Sequence, residues 1–201
     1  MHTNDPRPGF AHRMTKEEIN ECPMLRWEGP VHVIRTREEL GPAVKALMKE
    51  TILGFDTETR PAYHKGESYL PSLLQLAGEK EVYLFQLKPL GLPGPLRTIL
   101  ADPKIIKAGV ALAYDLRELH KLAQFKPAGF VDLGGIAKKA EIKNHGLRGL
   151  AAVLLGFRIP KGAQTSNWAR DVLTPTQIRY AATDAWVGRE LYLKLRQHEE
   201  D

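Results

Sequence analysis

In the stretch GFDTET, residues 54 to 59, Asp56 and Glu58 close an apolar run, Ile52-Leu53-Gly54-Phe55. On a β-strand the side-chain period is two, so both carboxylates point to one face, a few ångströms apart, with Thr57 on the other. Like charges at a buried strand end repel unless a cation lies between them, and the usual partner for clustered carboxylate oxygens is a divalent metal. The pair by itself also suits an ordinary strand end with two solvated acids. What separates these readings is whether other carboxylates arrive at the same place.

Two further acids have contexts that solvated surface does not explain. Asp115, in KAGVALAYDLREL, lies just inside a helix following the Ile105 strand, at the carboxyl end of a strand where sheet proteins place their sites. Asp184, in QIRYAATDAWVGRELYL, is flanked by Ala181, Ala182, Ala185 and Trp186, a small and apolar setting that points it at a metal or partner rather than water. Tyr180, four residues earlier, shares its helix face. Four acids and a tyrosine can hold two divalent cations. Hard oxygen ligands in that number suit Mg²⁺ or Mn²⁺, and two such ions about 4 Å apart stabilise attacking and leaving oxygens of a phosphodiester displacement without a nucleophilic side chain.

The elements that must position these residues are legible. Val31, Val33 and Ile34 make a short strand, and Thr36 with Glu39 opens a helix whose stripe is Leu40, Val44, Leu47 and Met48. The Asp56 strand is followed by a polar excursion, RPAYHKGESYLPS. Strands Leu73-Ala77 and Val82-Phe85 come next, at hairpin spacing around residues 78 to 81, so three successive strands are expected to run antiparallel. From there helices near 94–101, 112–122 and 147–155, the last ended at Gly156, alternate with strands at 105–108 and 130–131. The last helix carries Thr174 as N-cap, Pro175 at its first position and Gln177 completing the box, with periodicity to about Leu195. The pattern predicts an α/β fold with a mixed sheet and helices on both faces.

The 201 residues suit one domain with a full-sized core, and 43% hydrophobic against 26% charged residues implies that most of it folds. Residues 1–30 are polar, with four prolines, and read as an N-terminal extension, flexible at its start, containing one short helix opened by Thr15 and Glu18 and stopped by Pro23; the compact domain runs from 31 to 201. A net charge of +5 suits a polyanion without requiring one. One cysteine, Cys22, excludes an internal disulfide and a cysteine-built zinc site and fits a reducing compartment. With no apolar run near the roughly 20 residues of a membrane span and no signal-peptide core, a soluble, cytoplasmic protein is expected.

At this point the residues carry a resemblance. DTE at 56–58, the aspartate of GVALAYDL ending at 116 and YAATDA at 180–185 are similar, in order and spacing, to the three motifs of the DEDDy 3′–5′ exonucleases, which include ribonuclease D and the Werner-syndrome exonuclease domain. The resemblance spans about residues 31–195, and SNWA at 166–169 followed by LTPTQIRYAATDA is close to how those two end. It implies a ribonuclease H-like fold, two Mg²⁺ or Mn²⁺ ions, and removal of nucleoside 5′-monophosphates from DNA or RNA with a free 3′ end, single-stranded or frayed. Carried over, Asp56 bridges both metals, Glu58 and Asp184 complete the nucleophile-side metal, Asp115 holds the second, partly through water, and Tyr180 orients the attacking water. Many members have an asparagine or histidine a few residues before the second acid, whereas this chain has Gly109-Val110-Ala111-Leu112-Ala113-Tyr114, a GV start shared with the Werner-like branch. The alternative is a catalytically silent nucleic-acid-binding or scaffold module with the same fold.

Other residues keep two readings. Asp132 follows a strand and is placed either to cap the helix starting near Leu133 or to act in catalysis. Lys161, Gln164, Ser166 and Trp168 precede the last helix in a polar loop suited to substrate phosphate or base, with packing the other role for Trp168. Arg60, His64 and Lys65, just after the first motif, are candidate phosphate contacts. His120 and His145 are dispersed and read as surface or core.

Overall fold

The computed structural model of the chain describes residues 13–200, with side chains as far as 197. Six strands, β1 (Val31–Ile34), β2 (Ile52–Glu58), β3 (Leu73–Ala77), β4 (Val82–Gln86), β5 (Ile106–Gly109) and β6 (Phe130–Asp132), form one sheet in the order β1-β4-β3-β2-β5-β6. The expected antiparallel run β2-β3-β4 is its centre. Around it β1 joins β4, β5 joins β2 and β6 joins β5, all in parallel.

Side-chain alternation sorts the helices onto two faces. Leu53, Phe55, Leu74 and Leu76 bury against α2 (Arg37–Leu47), α4 (Gly94–Ala101) and α5 (Leu112–Leu122). On the opposite face Leu73, Ala77, Val82 and Leu84 bury against α8 (Pro175–Glu200), while Ala108 joins a neighbouring cluster with α6 (Leu133–Lys139) and the 150s. The helix expected over 147–155 is present as α7 (Leu147–Leu150) running into a π-helical turn, Ala151–Leu155, and Gly156 ends it at φ 75°. A single turn, α3 (Leu87–Leu90), follows β4 without a sequence signal strong enough to announce it across Pro89. Among the described residues no helix is long and apolar enough to cross a membrane.

Helix starts follow their cap chemistry. Thr15 with Glu18 and Thr36 with Glu39 close complete capping boxes on α1 (Lys16–Glu21) and α2. At α8 the Thr174 hydroxyl accepts from Gln177 N–H at 3.2 Å, and Gln177 Oε1 accepts from Thr174 N–H at 3.0 Å.

The expected flexible start of the N-terminal extension, residues 1–12, lies outside the described residues. The segment after it is tied down at several points. Met14 exchanges two hydrogen bonds with the Asn144 side chain, both 2.9 Å. Residues 23–25 bond to Arg158 through Arg158 N to Pro23 O at 2.9 Å and Leu25 N to Arg158 O at 3.0 Å. Trp27 N–H donates to the Thr183 hydroxyl on α8 at 3.0 Å, its ring packs on Trp186, and the Arg179 guanidinium returns to Trp27 O and the Glu28 carboxylate.

Below the sheet end, Lys107 is fully buried on β5. Its amine donates to the carbonyls of Ile99, Asp102 and Ile105 at 3.0, 2.7 and 2.7 Å, closing the carboxyl end of α4. Burial pulls its pKa down to about 8, so it remains an ammonium at neutral pH with every proton placed.

Closest packing occurs where α8 crosses β2. A methyl group on Gly54 would sit 1.7 Å from the carbonyl oxygen of Ala185, and one on Gly188 would sit 2.8 Å from that of Ala108. Backbone therefore lies against backbone, a separation only glycine allows. Gly54→Ala is expected to push α8 off the sheet and lower stability by about 3 kcal/mol in urea denaturation; an alanine variant as stable as wild type would show that the helix has room to spare.

Candidate active site

The register of β2 brings Asp56 and Glu58 to the α8 face, and Asp184 descends onto the same spot one turn before Gly188. One carboxylate oxygen from each of the three lies within 4.8 Å of the others. Thr57 points to the opposite face, as its parity requires, and its hydroxyl donates to Asp115 Oδ1 from the first turn of α5. The fourth acid thus reaches the end of β2 from the other side of the sheet, close enough that its charge is felt by Asp56 and Glu58.

Electrostatically the site is frustrated. Burial, then the charges of Asp184 and Asp115, push the Asp56 carboxyl well above its ordinary range. Burial and the neighbouring acids raise Glu58 to about 10, and burial raises Asp184 to about 7, opposed only by the Tyr180 hydroxyl beside it. Tyr180 is itself pushed upward by burial and by Asp184, so its phenol stays protonated and able to donate. No ion pair relieves any of these acids among the described residues, and Asp184 Oδ1 is buried with no hydrogen-bond partner. Hard cations with oxygen ligands at about 2.1 to 2.6 Å bridge spans of this size and satisfy such oxygens, so the donor set fits one or more divalent metals.

Asp56, Glu58 and Asp184 floor a cleft of about 510 Å³. One wall is Gly146, Leu147, Arg148 and Gly149, the other Ile159, Pro160, Lys161 and Gln164 with Tyr180, and Val110 stands beside Thr57. Of the loop residues proposed from sequence, Lys161 and Gln164 line this cleft. The structure does not bring the others to it. Arg60 lies 4.1 Å over the Tyr69 ring on the excursion after β2, where the backbone N–H groups of Tyr63 and His64 donate to Glu67, with Lys65 exposed next to them. Ser166 accepts from Gln177 Nε2 at 2.9 Å, and Trp168 is 1% exposed with its ring 5.8 Å from that of Tyr180, backing the tyrosine from the core.

Sequence reasoning passed over two supports. The first is the 146–149 wall, whose one local signal is a pair of glycines bracketing a basic residue, and whose Arg148 donates to Ile159 O at 2.9 Å and Asn20 Oδ1 at 2.7 Å. The second is the full reach of Asp132, whose capping reading is the one realised. Its carboxylate accepts from Gly134 and Gly135 at 2.9 and 3.3 Å, capping α6, and also from Ala111 and Leu112 at 3.3 and 3.1 Å, at the start of α5. Ala111 is held there in the left-handed region, φ 59° and ψ 41°, at a cost of about 1–2 kcal/mol for a side-chain-bearing residue. One carboxylate therefore fixes the turn that delivers Asp115.

Comparison with known proteins agrees with this geometry. Residues 31–199 match the family model described as 3′-5′ exonuclease. The chain belongs to that family. Among curated family members, DNA polymerase I of Aquifex aeolicus is 33% identical over 159 residues, covering 79% of this chain and 26% of its own length. The bifunctional 3′-5′ exonuclease/ATP-dependent helicase WRN of Mus musculus is 34% identical over 150 residues, covering 72% and 11%. This exonuclease-family chain thus spans about a quarter or less of these two relatives. In fold it matches the Nibbler EXO domain of Aedes aegypti, at TM-score 0.78 and 22% identity over 88% of this chain and 93% of that one. Escherichia coli RNase D matches at TM-score 0.74 and 25% identity, over 85% and 45%. The ribonuclease H-like fold expected from the motifs is the fold observed.

Two predictions arise here. With folded-state pKa values raised, the folded protein binds more protons than the unfolded chain between the ordinary carboxylate range and about 7 for Asp184 or 10 for Glu58. Stability in EDTA should accordingly be highest near pH 4–5 and fall as pH rises through 7, by about 1.4 kcal/mol per pH unit for each proton released, with added Mg²⁺ or Mn²⁺ flattening the fall. Melting curves from pH 5 to 8 with and without metal read this; a metal-free melting temperature that rises with pH contradicts the assigned frustration. Separately, Asp132→Ala strands four backbone N–H groups and should cost about 2–4 kcal/mol by denaturant titration.

Proposed function

We propose that this chain is a metal-dependent 3′-5′ exonuclease, its catalytic unit residues 31–201, that hydrolyses phosphodiester bonds from the 3′ end of DNA or RNA and releases nucleoside 5′-monophosphates. The observation that carries the proposal is the convergence of three mutually repelling carboxylates, Asp184 among them buried with an unpartnered oxygen, on a cleft that also holds a protonated Tyr180, with Asp115 joined to the same strand end through Thr57. Asp56, Glu58 and Asp184 are the residues to hold one Mg²⁺ or Mn²⁺, and Asp56 with Asp115 a second. Bound there, such ions supply Lewis-acid neutralisation of the attacking and leaving oxygens. Tyr180 holds the attacking water by its hydroxyl, with its ring fixed by Trp168. Apolar surface from Leu147, Ile159 and Pro160 faces the terminal base, and Lys161 and Gln164 offer donors to phosphate or sugar. The substrate end that enters is a single strand or a frayed terminus.

Release of labelled mononucleotides from a uniformly labelled oligonucleotide, dependent on Mg²⁺ or Mn²⁺, tests the reading. A 3′-phosphate should slow it and a closed circle should resist; efficient cutting of circles would mean an endonuclease. Asp56→Ala should abolish turnover while metal-free stability holds or rises, because one member of a repelling set is gone. More than about a tenth of wild-type rate remaining in that variant would overturn the metal assignment, since loss of a shared ligand removes the charge neutralisation itself. Tyr180→Phe keeps the ring and should bind substrate normally yet lose on the order of 10² to 10³ in single-turnover rate. An unchanged rate removes Tyr180 from the catalytic set.

A further inference from the structure

At the carboxylate end of the sheet, two strands away from the acids, lies a second cleft of about 220 Å³ lined by Arg35, Gln86, Lys88, Pro89, Arg170 and Asp171. Three cations face one acid. Lys88 pairs with Asp171 at 2.9 Å, leaving Arg35 and Arg170 exposed and in no ion pair among the described residues. Gln86, 3% exposed, donates from Nε2 to Arg170 O at 3.0 Å and so fixes the backbone that presents this arginine. The surplus positive charge is felt locally, since Asp171 is held below the usual carboxylate range by the Lys88 hydrogen bond, the Lys88 charge and Arg35.

Two connections join this cleft to the active site. The sheet register aligns Glu58 with Leu73 and Leu73 with Gln86, so Gln86 stands two strand spacings, roughly 10 Å, from Glu58. Arg35, next after Ile34 and its partner Phe85, lies one strand further, roughly 14 Å away. The second connection is the loop before α8, which lines the acid cleft with Lys161 and Gln164 and the basic cleft with Arg170 and Asp171.

We propose that this basic cleft is a remote subsite for the phosphodiester backbone of the substrate strand, holding phosphates a few nucleotides 5′ of the terminal residue while Gln86 braces the loop that carries Arg170. It deepens the exonuclease reading and rests on it. The contacts are charge to phosphate, so they lengthen the footprint on the strand without reading its sequence. They also give the enzyme a means of preferring a strand to a dinucleotide end product.

The test uses the full chain in two assays. Binding of a fluorescein-labelled 12-mer, read by anisotropy in an Asp56→Ala background so that no strand is consumed, is compared with and without Arg35→Ala plus Arg170→Ala. Hydrolysis of p-nitrophenyl thymidine 5′-phosphate, which occupies only the acid cleft, is measured with Asp56 intact. The expected result is a Kd for the 12-mer raised on the order of tenfold or more, and a log Kd against log salt slope reduced by about 1.4 for two lost phosphate contacts. Reporter hydrolysis and melting temperature should stay at wild-type values. Unchanged 12-mer affinity overturns the proposal, as does an equal loss on 12-mer and reporter, which would place the arginines' effect at the acids. A wild-type protein that never hydrolyses the reporter would instead overturn the exonuclease reading, while the binding arm still decides whether the cleft holds a strand.

Discussion

The backbone of α8 rests on the backbone of β2, and the rest of the site depends on that contact. Gly54 leaves the Ala185 carbonyl room to approach, Gly188 does the same against Ala108, and the alanines of the same helix keep the interface shallow. A helix held at that distance lowers Asp184 beside Asp56 and Glu58. Small residues here set a distance rather than fill a core. A bulkier interface would hold Asp184 further from Asp56 and Glu58 and leave the carboxylates too far apart to share an ion.

Closeness of this kind is unfavourable by itself, and the surrounding structure shows what opposes it. The Trp27 N–H and the Arg179 guanidinium fasten the turn of α8 that bears Tyr180 and Asp184 to the segment before β1, and the same segment is bonded to Arg158 just ahead of Pro160 and Lys161. The two parts of the wall built from α8 and from residues 159–164 are thus anchored to one strap. On the far side of the sheet Asp132 imposes a left-handed Ala111 to start α5 where Thr57 can receive Asp115. Strain and repulsion are concentrated at one place, where a bound cation would offset them.

The sequence disclosed the acids and helix ends because their signals are local. Parity along GFDTE, the Thr-x-x-Glu and Thr-x-x-Gln boxes, and Asp184 among alanines each need only a few neighbouring residues to read, and each appears in the structure where it was expected. Residues whose roles depend on distant partners were less legible. Parity put Thr57 off the acid face, correctly, and so hid that the opposite face is where Asp115 arrives. Ser166 and Trp168 sit in a polar stretch that suits substrate contact; Trp168 takes its other reading, packing in the core, and Ser166 serves the α8 cap. The parallel pairing of β1 with β4 and the 146–149 wall join segments far apart in the chain, and no spacing within either predicts the other.

Lys107 has a chemical consequence outside the site. A buried ammonium whose three protons are all engaged by carbonyls cannot present a lone pair to an electrophile while α4 and β5 stay together. Acylating reagents that modify the exposed lysines within minutes would reach this one only through opening of the sheet edge, so its modification would serve as a clock for that opening in the otherwise native molecule.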